Sequence, residues 1–117
     1  MTRLPCCVPF CRRATRDDGR FSEWICGAHW RLVDKKLKRM KKQSDDAFRR
    51  ADDECEAINR EGYEFALQHD GGVAEEIIAR IGVAMERRRR KLRQACRLWE
   101  RCKRQAIERA LAGGSEA

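Results

Sequence analysis

A chain of 117 residues carrying 39% charged residues and a formal net charge of +8 is enough for one small domain. Its 7% aromatic content excludes a large globular core. No apolar run approaches the roughly 20 residues that cross a bilayer, so a membrane-spanning helix is excluded.

The charge is blocked. Residues 1–43 hold 12 Lys and Arg against 4 Asp and Glu; residues 44–70 hold 3 against 9; residues 71–117 hold 12 against 6. Blocks of alternating sign predict internal pairing as well as an outside partner. Arg3 has no apolar stretch behind it, so no secretory signal is read. The seven cysteines are therefore expected in the reducing cytoplasm, where structural disulfides are rare. Seven is also an odd number, which a complete disulfide framework does not use.

The first element is a cysteine knuckle, "CCVPFC", at residues 6–11, followed by "WICGAHW" with Cys26 and His29. Structural zinc wants thiolates and imidazoles in two close pairs. Cys6-x4-Cys11 or Cys7-x3-Cys11 supplies the first pair and Cys26-x2-His29 the second. Spacing alone does not choose between Cys6 and Cys7. Between the pairs, Asp18-Gly19 is a turn signal flanked by strand-compatible pieces, which predicts a hairpin. Knuckle, hairpin and then a helix carrying the last ligands is a treble-clef-like order over residues 1–30.

The pattern C-x-V-P-x-C followed by C-x-x-H-W is similar to a small zinc finger common in phage and prophage proteins. It also resembles the THAP-type finger, with a far shorter middle spacing. The phage resemblance covers about residues 6–30 and aligns Cys6 as the first ligand, making the implied set Cys6, Cys11, Cys26 and His29. Phe10 stands where glycine usually precedes the second cysteine. The resemblance implies a protein of a bacterial host's cytoplasm. In such proteins the finger often precedes a nuclease of the HNH type, but the only other histidine here is His69. Four protein ligands also fill a zinc shell, so no enzymatic activity is expected.

The rest of the chain reads as mainly α. Residues 28–69 form a long helix with seams at Trp30, Val33, Leu37 and Met40 and then Phe48, Ala51, Cys55, Ile58, Gly62 and Phe65. The seams are out of phase between Met40 and Phe48. A kink near 43–46, with Ser44 capping a second helix, is therefore weighed against one continuous helix. "HDGG" places a turn at 70–72. A second long helix follows over 73–112, with its seam at Ile78, Ile81, Met85, Leu92, Ala95, Trp99, Cys102 and Ala106, and residues 113–117 are a frayed tail. Two long helices joined by a tight turn predict an antiparallel, coiled-coil hairpin. Cys55, Cys96 and Cys102 are expected as core thiols. Ile77, Ile78, Ile81 and Met85 make a wider stripe than one partner helix covers, so a homodimer is expected.

Of the two basic runs, "ERRRRK" faces an acidic partner helix. "KKLKRMKK" instead adjoins the finger's arginines. Arg12, Arg13, Arg16, Arg20, Lys35, Lys38, Arg39 and Lys42 are therefore the expected phosphate contacts. Interleaved aromatics are scarce, so only sequence-independent contact to nucleic acid is expected. The competing expectation is an inhibitor or adaptor that engages a host complex, such as RNA polymerase or a defence complex, through the hairpin. The hairpin with a zinc base resembles the DksA/TraR proteins, which bind RNA polymerase; here the zinc motif is N-terminal and the tip lacks their paired aspartates.

Overall fold

The computed structural model describes residues 2–72 and 74–113. In chain order the elements are β1 (Arg3–Pro5), β2 (Ala14–Arg16), α1 (Gly27–Trp30), α2 (Lys35–Gln68) and α3 (Glu75–Gly113). The architecture is mainly helical: α2 and α3 pack as a long hairpin, and a two-stranded sheet with a Cys/His cluster lies at the N-terminus. No helix among the described residues is long and apolar enough to cross a membrane. The chain divides into two compact units, Met1–Met40 with Leu98–Ala117, and Lys41–Arg97.

The first unit is built from both ends of the chain. β1 and β2 pair antiparallel with Arg3 opposite Arg16, Leu4 opposite Thr15 and Pro5 opposite Ala14. The knuckle is the loop between these strands, so the hairpin lies around it and not around Asp18-Gly19. The Asp18-Gly19 signal is used in a turn after β2, where the carboxylates of Asp17 and Asp18 accept from the backbone N–H groups of Gly19 and Arg20. The chain then returns to the knuckle, Cys6 bridging to Trp24. The buried cluster of this unit gathers Cys6, Val8, Ile25, Cys26, Val33 and Leu37 with Leu98, Cys102 and Ala106 of α3. Trp30 stacks on Trp99 at 6.4 Å between ring centroids.

The helical run expected from residue 28 is broken at Arg31–Asp34, between α1 and α2. No glycine or proline marks the break. Residues of α3 hold it: Arg109 Nη1 donates to the Leu32 carbonyl at 2.7 Å and pairs with the Asp34 carboxylate at 3.0 Å. Gln105 accepts from the Asp34 backbone N–H at 2.6 Å and donates to its carboxylate at 3.2 Å. Backbone groups that a helix would have satisfied are satisfied by α3 instead.

In the second unit, α2 runs unbroken through 43–46. Ser44 is buried within the helix and does not cap one. The missing phase is supplied by polar residues: Leu37, Lys41, Ser44, Phe48, Ala51, Cys55, Ile58, Gly62 and Phe65 follow each other at alternating steps of four and three. The seam of α3 is Ile77, Ile81, Ala84, Arg88, Lys91, Ala95, Leu98 and Cys102. It is displaced by one position from the expected set in its first half, where Ile78, Met85 and Leu92 are exposed. Arg88 fills the gap by lying over the Phe48 ring at 5.2 Å while donating to Asp52 at 2.6 Å. Arg87 pairs with Glu54 and Arg80 with Glu61, an antiparallel ladder between the basic and acidic blocks. Cys55 and Cys102 are core thiols; Cys96 is exposed, because it lies on the opposite face from Ala95 and Leu98.

The "HDGG" stop ends α2 at Gln68. Asp70 and Gly71 both take positive φ, 51° and 82°, and the Gly71 N–H donates to the Ala66 carbonyl at 2.8 Å. The expected start of the second helix at Val73 lies outside the described residues; α3 is described from Glu75, with Glu75 and Glu76 in its first turn, where carboxylates favour a helix N-terminus. Of the expected tail, residues 114–117 also lie outside them.

Candidate metal centre

Two local devices bring the expected ligands together. The first is the knuckle. Cys6 directly follows β1 and is buried. Pro9 and Phe10 turn the chain, and the Cys11 N–H donates to the Val8 carbonyl at 3.2 Å. Phe10 takes φ 68°, the left-handed conformation that glycine ordinarily supplies. A bulky residue there pays about 1–2 kcal/mol in steric strain, yet its ring is 96% exposed and gains no packing. The second device is α1. Cys26 is its N-cap in extended conformation, and His29 follows one turn later on the same side.

The result is a cluster of Cys6, Cys11, Cys26 and His29 whose candidate donor atoms all lie within 4.8 Å of one another. Cys11 Sγ and Cys26 Sγ are 3.9 Å apart, and His29 Nδ1 is 3.2 Å from Cys26 Sγ and 3.6 Å from Cys6 Sγ. A tetrahedral ion with bonds of about 2.3 Å to sulfur and about 2.1 Å to nitrogen separates two sulfurs by about 3.8 Å, and sulfur from nitrogen by about 3.6 Å. The four residues are thus close enough to hold one metal ion, with Nδ1 as the imidazole donor. Cys6, Cys26 and His29 are buried and Cys11 is half-buried.

Cys7, the alternative first ligand, is turned the other way: its Sγ donates to Glu23 Oε2 at 3.7 Å. Glu23 also accepts from Trp99 Nε1 at 2.9 Å and from Lys103 Nζ at 2.9 Å. These donors hold its carboxyl below the usual glutamate range, Trp99 contributing most. Glu23 thereby ties the knuckle to α3. Nothing in the sequence around Glu23 signals a partner more than 70 residues away.

The electrostatics shift the buried thiols in opposite directions. Burial pushes the Cys6 thiol up, partly opposed by the Cys26 and Val8 backbone N–H groups. Burial would also raise Cys26, but the His29 backbone N–H and the side chains of Cys6, Cys11 and Arg13 together hold it below its ordinary value. Arg13 Nη1 approaches Cys26 Sγ at 3.8 Å. Three thiolates with a divalent ion would carry one net negative charge, which this guanidinium would offset. Arg13, expected on phosphate, lies beside the cluster, a position no spacing rule announces.

The other expected phosphate contacts separate into two groups. Arg20 pairs with Asp18 at 2.8 Å, Lys38 lies over the Trp30 ring at 5.7 Å, and Lys42 pairs with Asp46 at 3.4 Å. Arg12, Arg16, Lys35 and Arg39 are exposed, with no ion-pair partner among the described residues. Lys42 falls in the second unit and the rest in the first. No family model, no curated protein and no solved structure matches the chain.

Proposed function

We propose that the chain is a non-enzymatic zinc protein of the phage-finger type. In this reading it works in the cytoplasm of a bacterial host and binds nucleic-acid backbone through its finger and the start of α2. The observation that carries the reading is the set of unpaired cations in the unit of the cluster. Arg80, Arg87 and Arg88 are consumed by acids within the hairpin, whereas Arg12, Arg16, Lys35 and Arg39, all in the unit of the cluster, are left unpaired among the described residues. Arg16 also lies directly opposite Arg3 across the small sheet. Like charges so placed repel, and a bound phosphate relieves the repulsion.

Zinc is favoured because three sulfurs and one imidazole in a closed tetrahedral set suit it better than harder cations. Four protein donors leave no position for a reacting water or substrate, which supports a structural role. The α2 run has no interleaved aromatic to stack bases, so contact is to the backbone and independent of sequence. The test is fluorescence anisotropy of the zinc-loaded protein with duplex and single strands over a range of salt. Substituting Arg12, Arg16, Lys35 and Arg39 by Gln should weaken binding to all sequences alike and flatten the salt slope by roughly one unit per lost contact. No binding at low salt would remove this reading.

A second reading rests on a separate observation. Ile78, Met85 and Leu92 are exposed at seven-residue spacing on α3. Such a face suits helix pairing, with a host complex such as RNA polymerase or a defence complex, or with a second copy of the chain. Light scattering at high concentration that finds only a monomer would remove the homodimer.

A further inference from the structure

We propose that a groove within the second unit, between α2 and α3, is a separate site for the phosphodiester backbone of a nucleic acid. It shares a ligand class with the function proposed above but stands on different residues. The groove encloses about 730 Å³. Ala47 and Ala51 contribute only small side chains to its α2 wall, which leaves the space open. Its remaining lining is four cations, Arg50, Arg87, Arg90 and Lys91, with Gln94 and one carboxylate, Glu54.

That one carboxylate is already taken: Glu54 pairs with Arg87 at 3.2 Å. Glu86, one turn before Arg90, could have neutralised it, but reaches Arg89 at 2.6 Å and Arg93 at 3.8 Å instead. Arg50, Arg90 and Lys91 therefore face the groove without an ion-pair partner among the described residues. Lys91 occupies a seam position and is half-buried, the pattern of a lysine whose stem packs along the seam while its ammonium stays available to the groove. Arg87, Arg90 and Lys91 lie three and four residues apart, where like charges weaken a helix. Concentrating unneutralised cations in a concavity raises the local potential for an anion far more than the same charges spread on a convex face. No aromatic side chain lines the groove, so bases are not stacked, and a chain of phosphates is the chemistry that matches.

The experiment compares three forms of the full-length, zinc-loaded protein: wild type, the groove variant Arg50→Gln/Arg90→Gln/Lys91→Gln, and the finger variant Arg12→Gln/Arg16→Gln/Lys35→Gln/Arg39→Gln. Each is titrated against a labelled duplex of about 20 base pairs and a single strand of equal length, between about 50 and 200 mM salt. The groove variant is expected to bind at least about tenfold more weakly and to lose about 2–3 units of salt slope, whatever the base sequence. Its thermal melt should be no lower than that of wild type, since no ion pair is removed and like-charge repulsion along α3 is relieved. The single Arg90→Gln variant should show about a third of the slope change, which keeps the test valid if the triple variant folds poorly.

If only the finger variant loses binding, the groove is overturned and the finger reading stands. If only the groove variant loses binding, the groove stands and the finger reading falls. If neither strand type binds wild type at low salt, both fall. Displacement by polyglutamate as efficient as by inorganic polyphosphate of equal charge would overturn the phosphate assignment in favour of an acidic protein.

Discussion

At the scale of single residues, the choice between Cys6 and Cys7 shows what a side chain's direction decides. The two are adjacent in sequence, yet Cys6 points into the cluster and Cys7 towards Glu23. Cys7→Ser should therefore keep one metal per chain while Cys6→Ser loses it, as elemental analysis of purified protein would read. Arg13→Ala removes a donor to Cys26, and metal affinity measured by competition with a chelator should fall about 10–100-fold, the usual effect of a lost outer partner. An unchanged affinity would leave Arg13 without a role at the cluster. The gathering of Cys6, Cys11, Cys26 and His29 was legible because the pairs lie within a few residues of each other, so chain geometry alone limits where they can go. Arg13 and Glu23 were not legible in these roles, because the partners of a lone charged side chain are set by the fold.

At the scale of elements, the Glu23 bonds and the helical seam each carry an expected outcome. Glu23 has a folded pKa below the ordinary value of 4.5. Its stabilisation is thus complete above that value and is lost as pH falls through the lower folded value. The difference in Tm between wild type and Glu23→Gln should be full near neutrality and shrink in acid; a difference independent of pH would contradict the assigned bonds. Ser44 is buried with no partner for Oγ among the described residues. Ser44→Ala should raise stability by about 1–2 kcal/mol in denaturant titration, because a desolvated hydroxyl is removed and a good helix former put in its place. The helices were readable from their periodicity, and their antiparallel pairing from the tight turn that joins them. The phase of the seams was not, since Lys41, Ser44, Arg88 and Lys91 occupy positions where an apolar residue is expected. The break at Arg31–Asp34 was hidden for another reason: Gln105 and Arg109 of α3 make it, and local sequence carries no trace of them.

At the scale of the whole molecule, the first unit joins the N-terminal knuckle to the end of α3, and its buried cluster is continuous with the ligands Cys6 and Cys26. Metal binding at the cluster would therefore be coupled to the folding of that unit. Removing the metal with a strong chelator should speed amide hydrogen exchange over residues 2–33 and 98–113 more than over 41–97. His29→Ala should do the same, whereas Cys102→Ala leaves only a small cavity. The joining of the two chain ends was foreseeable from the hairpin, which returns α3 to the start of α2; the contacts that seal it were not. The central claim is that one tetrahedral site organises this unit, and native mass spectrometry of the intact chain tests it most directly. The account predicts one zinc ion per chain in the wild type and in Cys7→Ser, and none in His29→Ala. A wild-type chain without metal, or a His29→Ala chain that retains it, would contradict the account.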